Sequence, residues 1–113
     1  MDITQNTAFN QALDAVVQAY LAWGFSPCDG SDEEAIALCK AGEARVALSE
    51  LLDELIDDIS MDEQYYEAFE KIRALGYSPF LGYDYERINK EAVAIAKTNM
   101  IDFLNTRLRY NSR

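Results

Sequence analysis

The sequence predicts an all-α fold: a compact single-domain bundle of about five helices. Three observations carry this expectation. Apolar residues recur at steps of three and four along most of the chain, the period of a helix buried along one face. Only five Gly and two Pro punctuate 113 residues, too few for a many-stranded β fold. Ser and Gly flank the periodic runs, where helix starts and stops need them. The length suits one domain, residues 1–113, with a single modest core. A half-apolar composition with 12% aromatic residues counts against disorder.

The first helix is expected from about Thr7 to Trp23, with Phe9, Leu13, Val16, Val17 and Tyr20 on one face. Gly24 stops it, Phe25 folds back on its last turn, and Pro27 prevents resumption. Ser31 and Glu34 have capping-box spacing and open a short second helix, Asp32 to Ala41. Its apolar side is Ala35, Ile36, Leu38 and Cys39, and Gly42 breaks it. A third helix runs from near Glu43 to about Ile59 on Ala44, Ala47, Leu48, Leu51, Leu52, Leu55 and Ile59. Ser60 and Glu63 repeat the capping-box spacing before a fourth, Met61 to Leu75, whose core face is Tyr66, Phe69, Ile72 and Leu75. Gly76 stops it. The fifth, Tyr85 to Arg109, carries Ile88, Ala92, Ile95, Ala96, Met100, Phe103, Leu104 and Leu108. Short connections favour antiparallel neighbours.

The stretches AWGFSPCDG (Ala22–Gly30) and ALGYSPFLG (Ala74–Gly82) echo each other. Shared helix-stop chemistry, with Gly in the left-handed position and a blocking Pro, accounts for most of the match; a duplicated hairpin is the alternative.

Catalysis is not expected. The chain has no His, the commonest general base, and neither phosphate-loop pattern nor a helical HExxH occurs. Abundant carboxylates could do paired acid–base work, but helix-surface acids at this density form a solvated face. Cys28 and Cys39 are too few for a disulfide framework and read as small hydrophobes. No cofactor or metal is expected. No apolar run approaches the roughly 20 residues of a membrane span, and MDITQNTAFN lacks the pattern of a secretory signal. The expected compartment is therefore the cytoplasm.

Charge is the outlying property. Twenty acids against ten bases give a net charge of −10, which repels nucleic acid and anionic membranes and attracts basic proteins. The acid is concentrated. Residues 29–70 hold fourteen Asp and Glu against Lys40 and Arg45, whereas residues 71–113 hold four acids and eight bases. Between Asp53 and Glu70 there are eight acids and no base. Glu50, Asp53, Glu54 and Asp57 fall three and four apart, and Asp58, Asp62 and Glu63 continue them around a helix–turn–helix corner. Like charges at these spacings each cost a few tenths of a kcal/mol in the free protein. A solubility face is the plain explanation.

Tyr65 and Tyr66 sit amid these acids. Consecutive helical positions lie about 100° apart, so both cannot point inward. If Tyr66 follows Phe69 into the core, Tyr65 falls at the margin or outside; a half-buried Tyr65 is the alternative. An exposed aromatic ringed by carboxylates suits a basic partner, with desolvated contact from the ring and steering from the charge. The candidate partner-binding residues are therefore Glu50, Asp53, Glu54, Asp57, Asp58, Asp62, Glu63, Tyr65 and Tyr66. A second aromatic group, Tyr77, Phe80, Tyr83 and Tyr85, surrounds the last long loop. The basic tail, Arg107, Arg109 and Arg113, either pairs with the acidic face or complements the last helix's dipole.

The stretch Ala41–Ser78 resembles the small bacterial immunity proteins of toxin–immunity systems, particularly the MafI-like and related contact-dependent-inhibition families. The residues that carry the resemblance are Gly42, Glu43, Ala47, Leu51, Leu52 and Leu55, then Ser60-Met61-Asp62-Glu63 and the helix of Tyr66, Ile72 and Leu75. The resemblance implies a protein that neutralises a cognate toxin, often a nuclease with a basic surface. A phage anti-defence protein that mimics nucleic acid is the alternative, and would string carboxylates at phosphate-like spacing with few aromatics among them. A scaffolding helical module and an acidic secretion chaperone stand further off.

Overall fold

A computed structural model describes residues 2–25, 30–76 and 85–111. The fold is all-helical, with no strand among the described residues. The described residues form four α-helices where the sequence predicted about five: α1 (Thr7–Phe25), α2 (Asp32–Asp53), α3 (Glu63–Gly76) and α4 (Tyr85–Asn111). Two 3-10 turns, Ile3–Gln5 and Ile59–Met61, precede α1 and α3. Pro27, Cys28, Phe80, Gly82, Tyr83 and Arg113 lie outside the described residues, as does most of the Ser-Pro echo.

Helix α1 is the central element and packs on both α2 and α3, while α4 lies along α3 and the N-terminal turn. The expected α1 stripe is buried throughout, Phe9, Leu13, Val16, Val17 and Tyr20 each being 3% exposed or less. Asn6 starts the helix, its Oδ1 accepting from the Phe9 amide at 3.0 Å. Before it, Asp2 caps the 3-10 turn by accepting from the Thr4 amide and hydroxyl at 2.9 and 2.7 Å. Those two hydrogen bonds stabilise the ionised carboxylate, the hydroxyl's more, and hold the Asp2 pKa below its ordinary value. Ile3 is buried, and its amide donates to Asn105 Oδ1 of α4 at 2.8 Å.

The expected second and third helices are one. Helix α2 runs through Gly42 without a break, because a single interior Gly costs only about 1 kcal/mol relative to Ala. Its start is as expected: Ser31 Oγ accepts from the Glu34 amide at 3.4 Å. The Glu34 carboxylate reaches the Gly30 amide, at 2.7 Å, one residue further than a capping box requires. The buried face is Ala41, Leu48 and Leu52. Ile36, Leu38 and Cys39, expected inside, are exposed.

Helix α2 also ends at Asp53, short of the expected Ile59. Four acids, Asp53, Glu54, Asp57 and Asp58, fall at the negative end of the helix dipole, where further carboxylates are unfavourable. Leu55 and Ile56 amides still bond the Leu52 carbonyl, and then Asp58 turns the chain in the left-handed region, φ 58° and ψ 24°. The turn drives Ile56 and Ile59 into the core.

Helix α3 starts at Glu63, and Asp62, not Ser60, caps it by accepting from the Gln64 amide at 2.9 Å. Its buried face is Tyr65, Phe69 and Ile72. Helix α4 buries Met100, Leu104 and Leu108, but Ile95, expected in its stripe, is 62% exposed. Lys97 of α4 pairs with Asp14 of α1. No helix among the described residues is long and apolar enough to cross a membrane.

Candidate partner-binding surface

The two tyrosines are exchanged relative to the sequence expectation. Tyr65 is fully buried; its ring meets Phe69 edge-on at 4.7 Å, and its hydroxyl shares a 2.9 Å hydrogen bond with Ser49 Oγ of α2. Burial raises its pKa to about 12, the Ser49 contact opposing the rise. Tyr66 is 37% exposed, with the Arg45 guanidinium 5.2 Å from its ring centroid. Both faces satisfied the three–four period, since Phe69 and Ile72 complete a stripe with either tyrosine. Ser49 is the residue that distinguishes them, as a buried phenol needs a hydrogen-bond partner.

Tyr66 therefore belongs to an aromatic–cation layer on the α1–α3 side. Tyr20 stacks on Phe69 at 5.3 Å and meets Trp23 edge-on at 5.6 Å. Arg73 lies 3.8 Å over the Trp23 ring and 3.5 Å from the Glu70 carboxylate. Burial raises the Tyr20 pKa, and Arg45 opposes the rise. This layer fastens α2 to α3 through α1.

The seven candidate acids divide by environment. Asp62 is half-buried and engaged within the molecule: it caps α3, and its Oδ2 lies 3.0 Å from Arg107 Nη2 of α4. Arg107 also donates to Gln64 Oε1 at 3.2 Å and sits 5.2 Å from the Phe103 ring. Arg107 of the basic tail thus reaches the acidic corner by clamping the start of α3. Glu50, Asp53, Glu54, Asp57, Asp58 and Glu63 are exposed, and none forms an ion pair among the described residues. Because α2 ends at Asp53, Asp57 no longer shares a helical face with Glu50 as expected; Glu50 and Asp53 lie on α2, Asp57 and Asp58 in the turn.

Two residues not anticipated from the sequence complete the corner. A shallow hollow is bounded by Asp57, Asp58, Met61, Asp62, Arg107 and Tyr110. Within it Met61 is 81% and Tyr110 76% exposed. Met61 was indistinguishable from a first-turn helical residue, and Tyr110 stands 45 residues beyond Tyr65, so only the folded chain brings it to the corner. Charge and exposed apolar surface do meet there, but the aromatic is Tyr110.

Among the described residues no group of three or more Cys, Asp and Glu could hold a metal ion. Compared with known proteins, the chain matches no family model, no curated protein and no solved structure.

Proposed function

We propose that this protein is a toxin-neutralising immunity protein, which binds a basic toxin domain, a nuclease being the favoured class, through the corner between α2 and α3. The observation that carries the reading is the corner itself. Asp57 and Asp58 are exposed and unpaired among the described residues, beside exposed Met61 and Tyr110. Carboxylates steer a basic surface in and raise its association rate, while a ring and a thioether give contact that resists dissociation. Asp58 adds support. A left-handed residue is most easily Gly, yet this position carries a carboxylate. The apolar pair also favours a protein partner over mimicry of nucleic acid, whose phosphate array would be matched by carboxylates without exposed hydrophobes among them.

The test is an affinity capture from the native cell with wild type and with an Asp57→Lys/Asp58→Lys variant, followed by kinetics on the captured basic protein. Charge reversal should slow association by about tenfold or more, an effect that shrinks at high salt. Tyr110→Ala should mainly raise the dissociation rate. Equal capture and unchanged kinetics in both variants would overturn the reading.

A further inference from the structure

Helix α2 has a second face whose composition nothing so far explains. Its buried face is Ala41, Leu48 and Leu52. On the opposite side, steps of four and three connect Asp32, Ile36, Cys39, Glu43, Val46, Glu50 and Asp53, the spacing of a helix–helix seam. All seven are exposed, Ile36 by 54% and Val46 by 48%. Beside the middle of the seam a shallow hollow opens at Gly42, bounded by Cys39, Val46 and Ala47 and edged by Glu43, Glu50 and Arg45. A Cβ at Gly42 would meet nothing within 4 Å among the described residues, so none of them requires the glycine.

We infer that this seam docks an amphipathic basic helix of a partner protein, packed lengthwise along α2. The apolar members, Ile36, Cys39 and Val46, supply the contact line, and the hollow at Gly42 admits one knob side chain of the incoming helix. The charge chooses the occupant. Four carboxylates share the seam with three apolar residues and no basic residue falls on it; Lys40 lies to one side, and Arg45, at the hollow's edge, lies over the Tyr66 ring. A second copy of this chain, parallel or antiparallel, would bring four more carboxylates and no base to neutralise them. Lys or Arg on the flanks of an apolar stripe neutralises them directly. The inference concerns a surface separate from Met61 and Tyr110 and does not rest on the toxin reading.

The probe is a fluorescently labelled synthetic helix of about three heptads, Leu on the seam positions and Lys beside them, with a scrambled peptide of the same composition as control. Affinities are read by anisotropy at near-physiological salt on the full chain, with circular dichroism to confirm that each variant keeps its helices. Val46→Glu and Ile36→Glu should each weaken binding by about tenfold, although each adds a charge that would tighten a purely electrostatic association. Glu43→Lys/Glu50→Lys should weaken it as much, and the peptide should slow alkylation of Cys39. Tyr110→Ala, which changes no charge and lies off the seam, should leave the affinity within about twofold, so that failure of the seam and failure of the corner are read separately. Binding that is unchanged or tighter in Val46→Glu would overturn the inference, as would equal affinity for the scrambled peptide. A wild-type dimer in sedimentation, abolished by Val46→Glu, would assign the seam to a second copy and overturn it too.

Discussion

Tyr65 and Tyr66 are adjacent, identical and equally compatible with the helical period, yet their roles diverge. Tyr65 is a core residue whose phenol is satisfied by Ser49. Tyr65→Ala should therefore destabilise the fold by about 3–5 kcal/mol, as large aromatic truncations do, and be visible as a loss of thermal stability with or without a partner. Tyr65→Phe removes only the hydrogen bond, which is worth about 1 kcal/mol. Its pH signature is distinctive. An ordinary tyrosine ionises near 10, whereas Tyr65 in the folded chain holds its proton to about 12. The unfolded chain thus loses this proton first as pH rises, and the contribution is complete below about pH 10 and lost on the way to 12. Denaturant midpoints measured across that range should fall less steeply in Tyr65→Phe than in wild type. Equal slopes would count against this assignment.

At the scale of elements, the sequence conveyed the helical segments and the α1 stripe well, and helix ends and the faces of the start of α2, of α3 and of α4 less well. The α1 stripe was legible because five apolar residues leave one consistent face. Helix α2 was divided in two because Gly42 looks like a stop, yet no Pro or positive φ accompanies it and the helix continues. Gly42→Ala should consequently stabilise the protein by about 1 kcal/mol, since the added methyl has free space; thermal unfolding measures this. The early end of α2 depended on acids crowding a negative helix terminus, which residue spacing conceals. Asp58→Gly would relieve both the left-handed backbone and one repulsive charge there, for a gain of about 1 kcal/mol. The same substitution should slow association with the proposed basic partner, so stability and binding would move in opposite directions. The corner's charge was legible from composition, but Met61 and Tyr110 were not, because their exposure depends on a turn and on a distant helix.

At the scale of the molecule, Arg107 connects what the chain order separates. It bonds Asp62 and Gln64 at the start of α3 while lying against Phe103 of its own helix. Arg107→Ala should cost about 1 kcal/mol, as expected for a partly exposed ion pair with added hydrogen bonds. It should also release Asp62 to solvent and loosen Tyr110, raising the proposed partner's dissociation rate more than it changes the association rate. A comparison of the two rate constants checks this.

The hydrogen bond from the Ile3 amide to Asn105 spans 102 residues, and it carries a consequence for synthesis. Helix α1, the centre of the core, is synthesised before α4, whose Asn105 supplies the acceptor for the Ile3 turn. The turn at Ile3 has no acceptor on α4 until Asn105 has been made. The loop-closure entropy of this contact must be overcome before it contributes. Nascent chains halted before Asn105 should expose the N-terminal turn to proteases that the finished protein resists.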